Sequence, residues 1–496
     1  MPKVLHSKVC PDEVLPEQRV KLSIGDVYAP KVWVTQALFW PVECATSFER
    51  CHELLRTGLS RTLHDVPALA GRVIRLSDDP RDLAIDVTRD AHVEFTAEDL
   101  STCKDIPSYA ALKAAGFSTM GLAAAFSPPA ALRPVCEGCP ILTAKLSFLD
   151  GGAVLLIGTN HIFADGAAIG KIQNIWAGHT AAAATDRRYV AHEQDPGDEE
   201  TRRRLSTTVP GVNPRTGFKD WKIVPAQHSA LYLAGAPGTS RPSEEANADT
   251  QQNSDCVEAP GQLEWSVWYL SQEALVGLKS VASEGLQSNA WISTVDALIS
   301  LFWSRIALTK QPLATTPPSQ ESVLYFAINI RPRLQPPISP HFLGNAVDMM
   351  TKTLTLQELS REDSIQVAAR AVRAAIGDWK ESEWAARLTV CAGLPATEAL
   401  CPDTTSLLSK GNIGITDASK LQTHLSGWGP ELGRVERMRY TMPVRGLPSD
   451  VTIVSIHPRL QDGAIEVTVS LSAFTQQALL ADTIFSSYAS LVCAYT

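Results

Sequence analysis

Ala153-Val-Leu-Leu-Ile-Gly-Thr-Asn-His161-Ile-Phe-Ala-Asp165-Gly-Ala-Ala-Ile-Gly-Lys-Ile172 is the stretch around which the chain is organised. The uninterrupted apolar run Ala153–Ile157 reads as a buried strand. A polar turn follows, carrying one histidine and, four residues on, one aspartate. Beyond Gly166 the apolar residues Ile169, Ile172 and Trp176 recur at helical spacing, so a helix succeeds the turn. A histidine at the end of a buried strand is held rigidly yet faces a cleft, and imidazole titrates near neutral pH. His161 therefore suits a general base that takes a proton from an alcohol or amine. Asp165 stands just before the helix and either caps it or braces the turn by pairing with an arginine. The bare pattern His-x-x-x-Asp-Gly is short, and taken alone it fits a satisfied core histidine and a simple N-cap equally well.

Working outward, Ile141–Phe148 and Ala153–Ile157 read as two strands joined at Asp150-Gly-Gly152, a hairpin signal. Residues 20–40 read as a turn followed by a β-branched and aromatic strand. A helix over Ser47–Leu63 then lines up Leu54, Leu55, Leu59 and Leu63 as a stripe for packing on a sheet. From 177 to 260 the composition shifts. Ala181–Ala184, Arg187-Arg188 and the charged run Asp195–Arg204 read as solvated and mobile, and residues 240–255, almost without apolar content, read as a disordered loop. The second half offers a strand over Leu263–Tyr269, a helix over Ser271–Val281, and a helix over Ile292–Trp303 capped by Ser293 or Thr294. A strand over Val323–Ile330, a helix over 363–378, strands over Val451–Ile456 and Ala464–Leu471, and a final helix over Thr475–Val492 complete it. These readings divide the chain into a half at 1–205, a crossover at 206–260 and a half at 261–496.

Length and composition limit the function. A chain of 496 residues, 45% hydrophobic and 20% charged, is an ordinary globular protein with room for two domains. The net charge of -9 leaves no basic excess to neutralise a nucleic-acid backbone. The opening Met1-Pro-Lys-Val-Leu-His6 has no apolar core of signal-peptide length, and no later run approaches a membrane span. The ten cysteines are scattered, and the one close pair, Cys136 and Cys139, lacks a second pair or a nearby histidine. Free thiols in a reducing cytoplasm, no bound metal and a monomer are the expectations.

Read in order, six stretches resemble the BAHD acyltransferases, and among them the fungal trichothecene-acetyltransferase-like branch. They are Leu59-Ser-Arg-Thr-Leu with Pro67-Ala-Leu-Ala-Gly-Arg72, His161-x-x-x-Asp165-Gly166, Ser293-Thr-Val-Asp-Ala-Leu298, Arg331-Pro-Arg-Leu-Gln-Pro-Pro, Gly344-Asn345-Ala, and Gly427-Trp428-Gly429. The resemblance spans residues 20 to about 490. It implies an α/β fold of two chloramphenicol-acetyltransferase-like domains, mixed β-sheets flanked by helices, with an active-site tunnel between them. It further implies acyl-CoA, most simply acetyl-CoA, as co-substrate, with no permanently bound cofactor. The partner is a small-molecule alcohol or amine acceptor, a secondary metabolite. His161 would be the base for direct transfer without an acyl-enzyme, and Asp165 a brace paired with Arg331 or, second, Arg333. Gly166 and Asn345 would support the site, and Ser293, Gly427 and Gly429 would border the CoA path. Trp428 would either donate its indole N–H to the developing oxyanion or pack the turn.

The chain departs from the family at its second signature, Asp-Phe-Gly-Trp-Gly, where Leu425 and Ser426 replace the first two residues, and at Asn329, where an aspartate is common. Two further readings share the fold. In one the acyl group comes from a carrier protein, as in condensation domains; those carry a second histidine where this chain has Asn160. In the other the scaffold is repurposed, as a cyclase for example. His424, beside the Gly427 turn, is a rival base that nothing in the sequence orders. Arg202-Arg-Arg204 read more simply as loop charge than as phosphate ligands.

Overall fold

The computed structural model describes residues 2–42, 46–79, 81–118, 126–185, 187–191, 199–218, 221–225, 263–403, 411–441 and 451–495. The expected loop at 240–255 lies outside the described residues.

The strand that ends at His161 spans Gly152–Asn160, and all nine residues are buried. It sits inside a six-stranded sheet of spatial order Lys3–Val9, Val93–Asp99, Leu142–Leu149, Gly152–Asn160, Trp33–Pro41 and Arg437–Tyr440. Both faces of this strand are covered, which is why its sequence is continuously apolar instead of alternating. It pairs antiparallel with Leu142–Leu149, from Leu149↔Gly152 to Leu142↔Thr159, and with Trp33–Pro41, from Trp33↔Asn160 to Pro41↔Gly152. The hairpin between them turns through Gly151 at φ +78°, a conformation that glycine adopts without steric cost.

The helices Phe48–Asp65 and Gly166–Ala184 cover one face. The first buries Leu54, Leu55, Leu59 and Leu63, as their spacing requires. The two approach so closely at Gly58 that a Cβ there would stand 2.1 Å from the Thr180 hydroxyl and 2.8 Å from the Thr180 nitrogen. Beside this crossing the Trp176 indole donates to the Leu55 carbonyl at 2.9 Å.

A second, seven-stranded sheet runs Val347–Thr355, Glu321–Asn329, Ile413–Asp417, Ile453–Ile456, Ile465–Ser472, Leu263–Leu270 and Ser490–Tyr495. Its strand Ile413–Asp417 is parallel to both neighbours, so three carboxyl ends share one margin of the sheet. The first of these, at Asn329, leads into Arg331. Helices Gln272–Ala282 and Thr294–Lys310 pack on this sheet. Of the two candidate caps, Ser293 closes a capping box with Asp296, its hydroxyl accepting from the Asp296 N–H at 3.1 Å and its own N–H donating to that carboxylate at 2.7 Å.

Three expectations are corrected. The final helix does not reach Val492. Ala473–Ala481 stops at Asp482, which caps a short turn, Thr483–Ser486, and Ser490–Tyr495 is a strand on the outer edge of Leu263–Leu270. Edge main-chain groups need partners, and that requirement overrides the helical look of the segment. Nor are residues 181–204 uniformly solvated: Ala181–Ala184 complete the Gly166–Ala184 helix, and Arg202 is 5% exposed because its charge meets a buried carboxylate. Finally, the two halves are not separate in sequence, because Arg437–Tyr440 from beyond residue 261 pairs with Trp33–Pro41 of the first sheet. No helix among the described residues is long and apolar enough to cross a membrane.

Candidate active site

His161 is the first residue after the buried strand. Its N–H donates to the Val32 carbonyl at 3.0 Å, extending the ladder by one rung. The chain then turns: Asn160 accepts at its side-chain oxygen from the Ile162 N–H (3.2 Å) and at its carbonyl from the Phe163 N–H (3.1 Å). Asn160 thus orders the turn, and its carboxamide is no base. The His161 ring is enclosed, although the residue as a whole keeps some exposure. Burial pushes the imidazole below its ordinary range. Its own main chain, Asp165 and the Asn345 side chain pull the other way, and Lys31 reinforces the lowering. Nδ1 is buried and meets no hydrogen-bond partner of ordinary geometry among the described residues.

Asp165 does both things its position allows. One oxygen caps the Gly166–Ala184 helix, accepting from the Ala168 N–H at 3.0 Å. The carboxylate also takes a two-pronged grip from Arg331, Nη1 to Oδ2 at 2.7 Å and Nη2 to Oδ1 at 3.1 Å. The same guanidinium reaches the carbonyls of Gly344 (2.7 Å) and Phe342 (3.1 Å) and, through Nη1, the Asn329 oxygen (3.3 Å). Asn329 also accepts from the Arg331 main-chain N–H at 3.0 Å. Arg333, the second candidate, points elsewhere and donates to the Ile376 carbonyl at 3.2 Å.

A second buried carboxylate stands behind His161, and sequence reading did not find it. Asp26, fully buried, accepts from the Ser23 N–H (3.0 Å) and hydroxyl (2.7 Å), and pairs with Arg202. Its other oxygen accepts from the Asn345 main-chain N–H (2.8 Å) and side-chain amide (3.1 Å). The Asn345 amide also donates to the His161 carbonyl at 2.9 Å. The pattern Ser23-x-x-Asp26 marks a helix cap in sequence, yet nothing local tells that the capping aspartate faces Asn345. Nearby Lys31 is 7% exposed and donates to the Val27 and Ala29 carbonyls, and burial lowers its amine to about 7 against the raising effect of Asp26.

The remaining expected residues lie apart from this group. Trp428 is 1% exposed and packs edge-on against Trp40 and Trp176, with ring centroids 5.2 and 5.8 Å away. Trp176 is ten residues past Gly166, about 15 Å along the helix, so the indole does not face His161 as an oxyanion donor; it fills the core. Gly429, at φ +101°, would bring a Cβ within 3.1 Å of Ala181, about 22 Å along the helix from Gly166. Gly429 thus sits at the far end of that helix, while Ser426 donates to Asn174 near its middle at 2.6 Å and Leu425 is 54% exposed. A Cβ on Gly166 would meet nothing within 4 Å, so this glycine is not required by packing. His424 is buried with Nδ1 at 3.1 Å from the Val435 carbonyl, a core histidine. The Cys136 N–H points to the Cys139 sulfur at 3.1 Å, and both thiols are free.

A histidine at a sheet end, flanked by an aspartate–arginine clamp that ties one half of the molecule to the other, defines an acyltransferase on a two-domain scaffold of the chloramphenicol-acetyltransferase kind. The chain belongs to the Transferase family, BAHD-type, whose model matches residues 3–390. It is 36% identical to the acyltransferase clz6 of Cochliobolus lunatus across 98% of both chains, and 34% identical to the acyltransferase M4 of Phoma sp. across 100% of both. Its fold is similar to that of F. graminearum TRI101 complexed with ethyl coenzyme A, with a TM-score of 0.73 at 18% identity over 96% of this chain and 100% of that one. It is also similar to vinorine synthase, with a TM-score of 0.61 at 13% identity over 96% of each.

Proposed function

We propose that this protein is an acyl-CoA-dependent O-acyltransferase acting on a hydroxyl of a small secondary metabolite, with His161 as the general base. The observation that carries the reading is His161 itself. It is an enclosed imidazole, held below its ordinary titration range by burial and fixed at the junction of the halves by the Asp165–Arg331 clamp. A base must be neutral to act, and a lowered pKa keeps it so at cellular pH.

In this reading the acceptor hydroxyl gives its proton to Nε2 as its oxygen attacks the thioester carbonyl. The tetrahedral adduct then collapses, the carbon–sulfur bond breaks, and the imidazolium returns the proton to the departing thiolate. No covalent acyl-enzyme is required. Asp165 and Arg331 neutralise one another and set the turn, so they act through His161 without touching the reacting atoms. TRI101 of F. graminearum has been seen with coenzyme A and T-2 mycotoxin, which supports the pairing of coenzyme A with a small-molecule acceptor.

Calorimetry with acetyl-CoA and medium-chain acyl-CoAs tests the donor without knowledge of the acceptor. Micromolar binding is expected, and His161→Ala should retain it while losing turnover by about 10²-fold or more. Absence of binding to every short and medium acyl-CoA would overturn the reading in favour of a carrier-bound donor.

A further inference from the structure

Cys136-Glu137-Gly138-Cys139 is a tight turn whose two thiols the acyl-transfer reading leaves unused. The Cys139 N–H donates to the Cys136 carbonyl at 3.2 Å, and Gly138 takes φ +80°, the left-handed conformation that the third residue of a type II turn requires. Such a turn brings its first and last Cα atoms within about 7 Å, and a disulfide spans about 4.4–6.8 Å between Cα atoms. The Cys139 side chain already points back, its sulfur accepting from the Cys136 N–H at 3.1 Å, and both cysteines are free thiols. Neighbouring groups hold the turn in this shape. The Gly138 N–H donates to the Val73 carbonyl at 2.8 Å, Arg72 donates to the Gly138 carbonyl at 3.2 Å, and Arg75 donates to the Glu137 carboxylate at 2.7 Å. A turn fixed in this way loses little further freedom when its ends are joined.

The chain leaving Cys139 runs beside the turn of the candidate site. Ile141, two residues on, accepts at its carbonyl from the Asn160 N–H at 2.9 Å. The Asn160 side-chain nitrogen lies 4.0 Å from the Cys139 sulfur, the one acceptor it meets among the described residues. The oxygen of that carboxamide accepts from the Ile162 N–H and so orders the turn that carries His161. Glu137 and Gly138 are exposed, Cys136 is half-buried and Cys139 is buried, so a small oxidant arriving from solvent meets Cys136 first.

We propose that Cys136 and Cys139 are a redox-active pair that closes to a disulfide on meeting a peroxide, and that closure disturbs the His161 turn through Asn160. The Cys136 thiolate attacks hydrogen peroxide, the O–O bond breaks, and a sulfenic acid forms with release of one water. The Cys139 thiolate then attacks that sulfur, the S–O bond breaks, and a second water departs. The two thiols have together given two electrons to the peroxide. Burial pushes the Cys139 thiol up to about 11, so its deprotonation sets the pace of the second step. Once bonded, the Cys139 sulfur is drawn toward Cys136 and away from the Asn160 amide, which loses its acceptor and holds the turn less firmly. The consequence for activity rests on the reading of His161 as the base; the closure itself does not.

The closing experiment needs no acceptor. Full-length protein is treated with a small excess of hydrogen peroxide, remaining thiols are capped with iodoacetamide, and the tryptic peptide that holds both cysteines is weighed. The expected product lacks the mass of two hydrogens, carries no cap on either cysteine, and regains both thiols with dithiothreitol. In the same samples ring-labelled histidine reports on the site, the His161 signals being identified by their loss in His161→Gln. Those signals should shift as the peptide closes and return on reduction, while Cys136→Ser shows neither change. Reversal by dithiothreitol keeps the comparison decisive should Cys136→Ser fold poorly. Oxidation of Cys136 onward to a sulfinic acid without closure overturns the proposal, as does closure that leaves the His161 signals unmoved. In turnover the closed form should be slower by about 10-fold or more, because a misplaced base is costly. Failure of the unoxidised protein to bind any acyl-CoA would instead overturn the acyltransferase reading, an outcome separate from closure.

Discussion

Asp26 and Asp165 hold consecutive residues of the second half, one accepting from the Asn345 N–H at 2.8 Å and the other from the Ala346 N–H at 2.9 Å. Each carboxylate is buried and paired with one arginine. A buried ion pair is costly to break, because removing one partner strands the other in a low-dielectric site. Arg331→Ala should therefore destabilise the protein by about 3–5 kcal/mol, read as a lowered urea midpoint; an unchanged midpoint would show that Asp165 is adequately held without it. The pH dependence of the reaction belongs to His161. Burial favours the neutral ring, so the acid limb of kcat/KM should fall below pH 6.5, roughly where a solvated histidine titrates. A limb above pH 7 would contradict the environment described.

The elements that carry these residues are set by close approach as much as by burial. The Phe48–Asp65 and Gly166–Ala184 helices cross at Gly58, where a side chain would run into the Thr180 main chain. Alanine favours a helix over glycine by about 1 kcal/mol, but the crossing cannot open without shifting the helix that starts at Asp165. Gly58→Ala is expected to lose about 1–3 kcal/mol through overpacking, measurable by chemical denaturation. A net gain in stability would mean that the helices separate freely at this point. The Gly427–Gly429 turn locks the other end of the same helix, with Gly429 against Ala181.

Across the whole molecule the net charge of -9 leaves a balanced junction, where Arg202 and Arg331 are matched by Asp26 and Asp165 and Lys31 is buried beside Asp26. Lys31 has no carboxylate within ion-pair distance among the described residues, and burial lowers its amine to about 7. The unfolded chain keeps that proton to about pH 10.4. Between pH 7 and that value the unfolded state binds more protons, so folding stability rises with pH, by at most about 1.4 kcal/mol per unit for this one group. Denaturation from pH 7 to 7.5, below the region around pH 8.5 where cysteines ionise in the unfolded chain, should show this rise, and Lys31→Met should flatten it. An identical slope in the variant would place the lysine in water.

Local sequence determined much of this protein. The continuous apolar run before His161, the glycine at the hairpin, the leucine stripe of Phe48–Asp65 and a cap at Ser293 or Thr294 follow from spacing and side-chain chemistry acting over a few residues. The same holds for His161 at the strand end and for Asp165 as cap, while the family resemblance implied Arg331 as the first choice of partner. Tertiary structure alone decided what stands opposite each group. It made Ser490–Tyr495 a strand because an edge lay open, buried Arg202 because Asp26 awaited it, and packed Trp428 edge-on against Trp40 and Trp176 far from the base. It also brought Asp26 to Asn345 across more than three hundred positions of sequence. Periodicity and capping are written into neighbours along the chain. Charge pairing and edge closure depend on groups that meet only when the chain has folded.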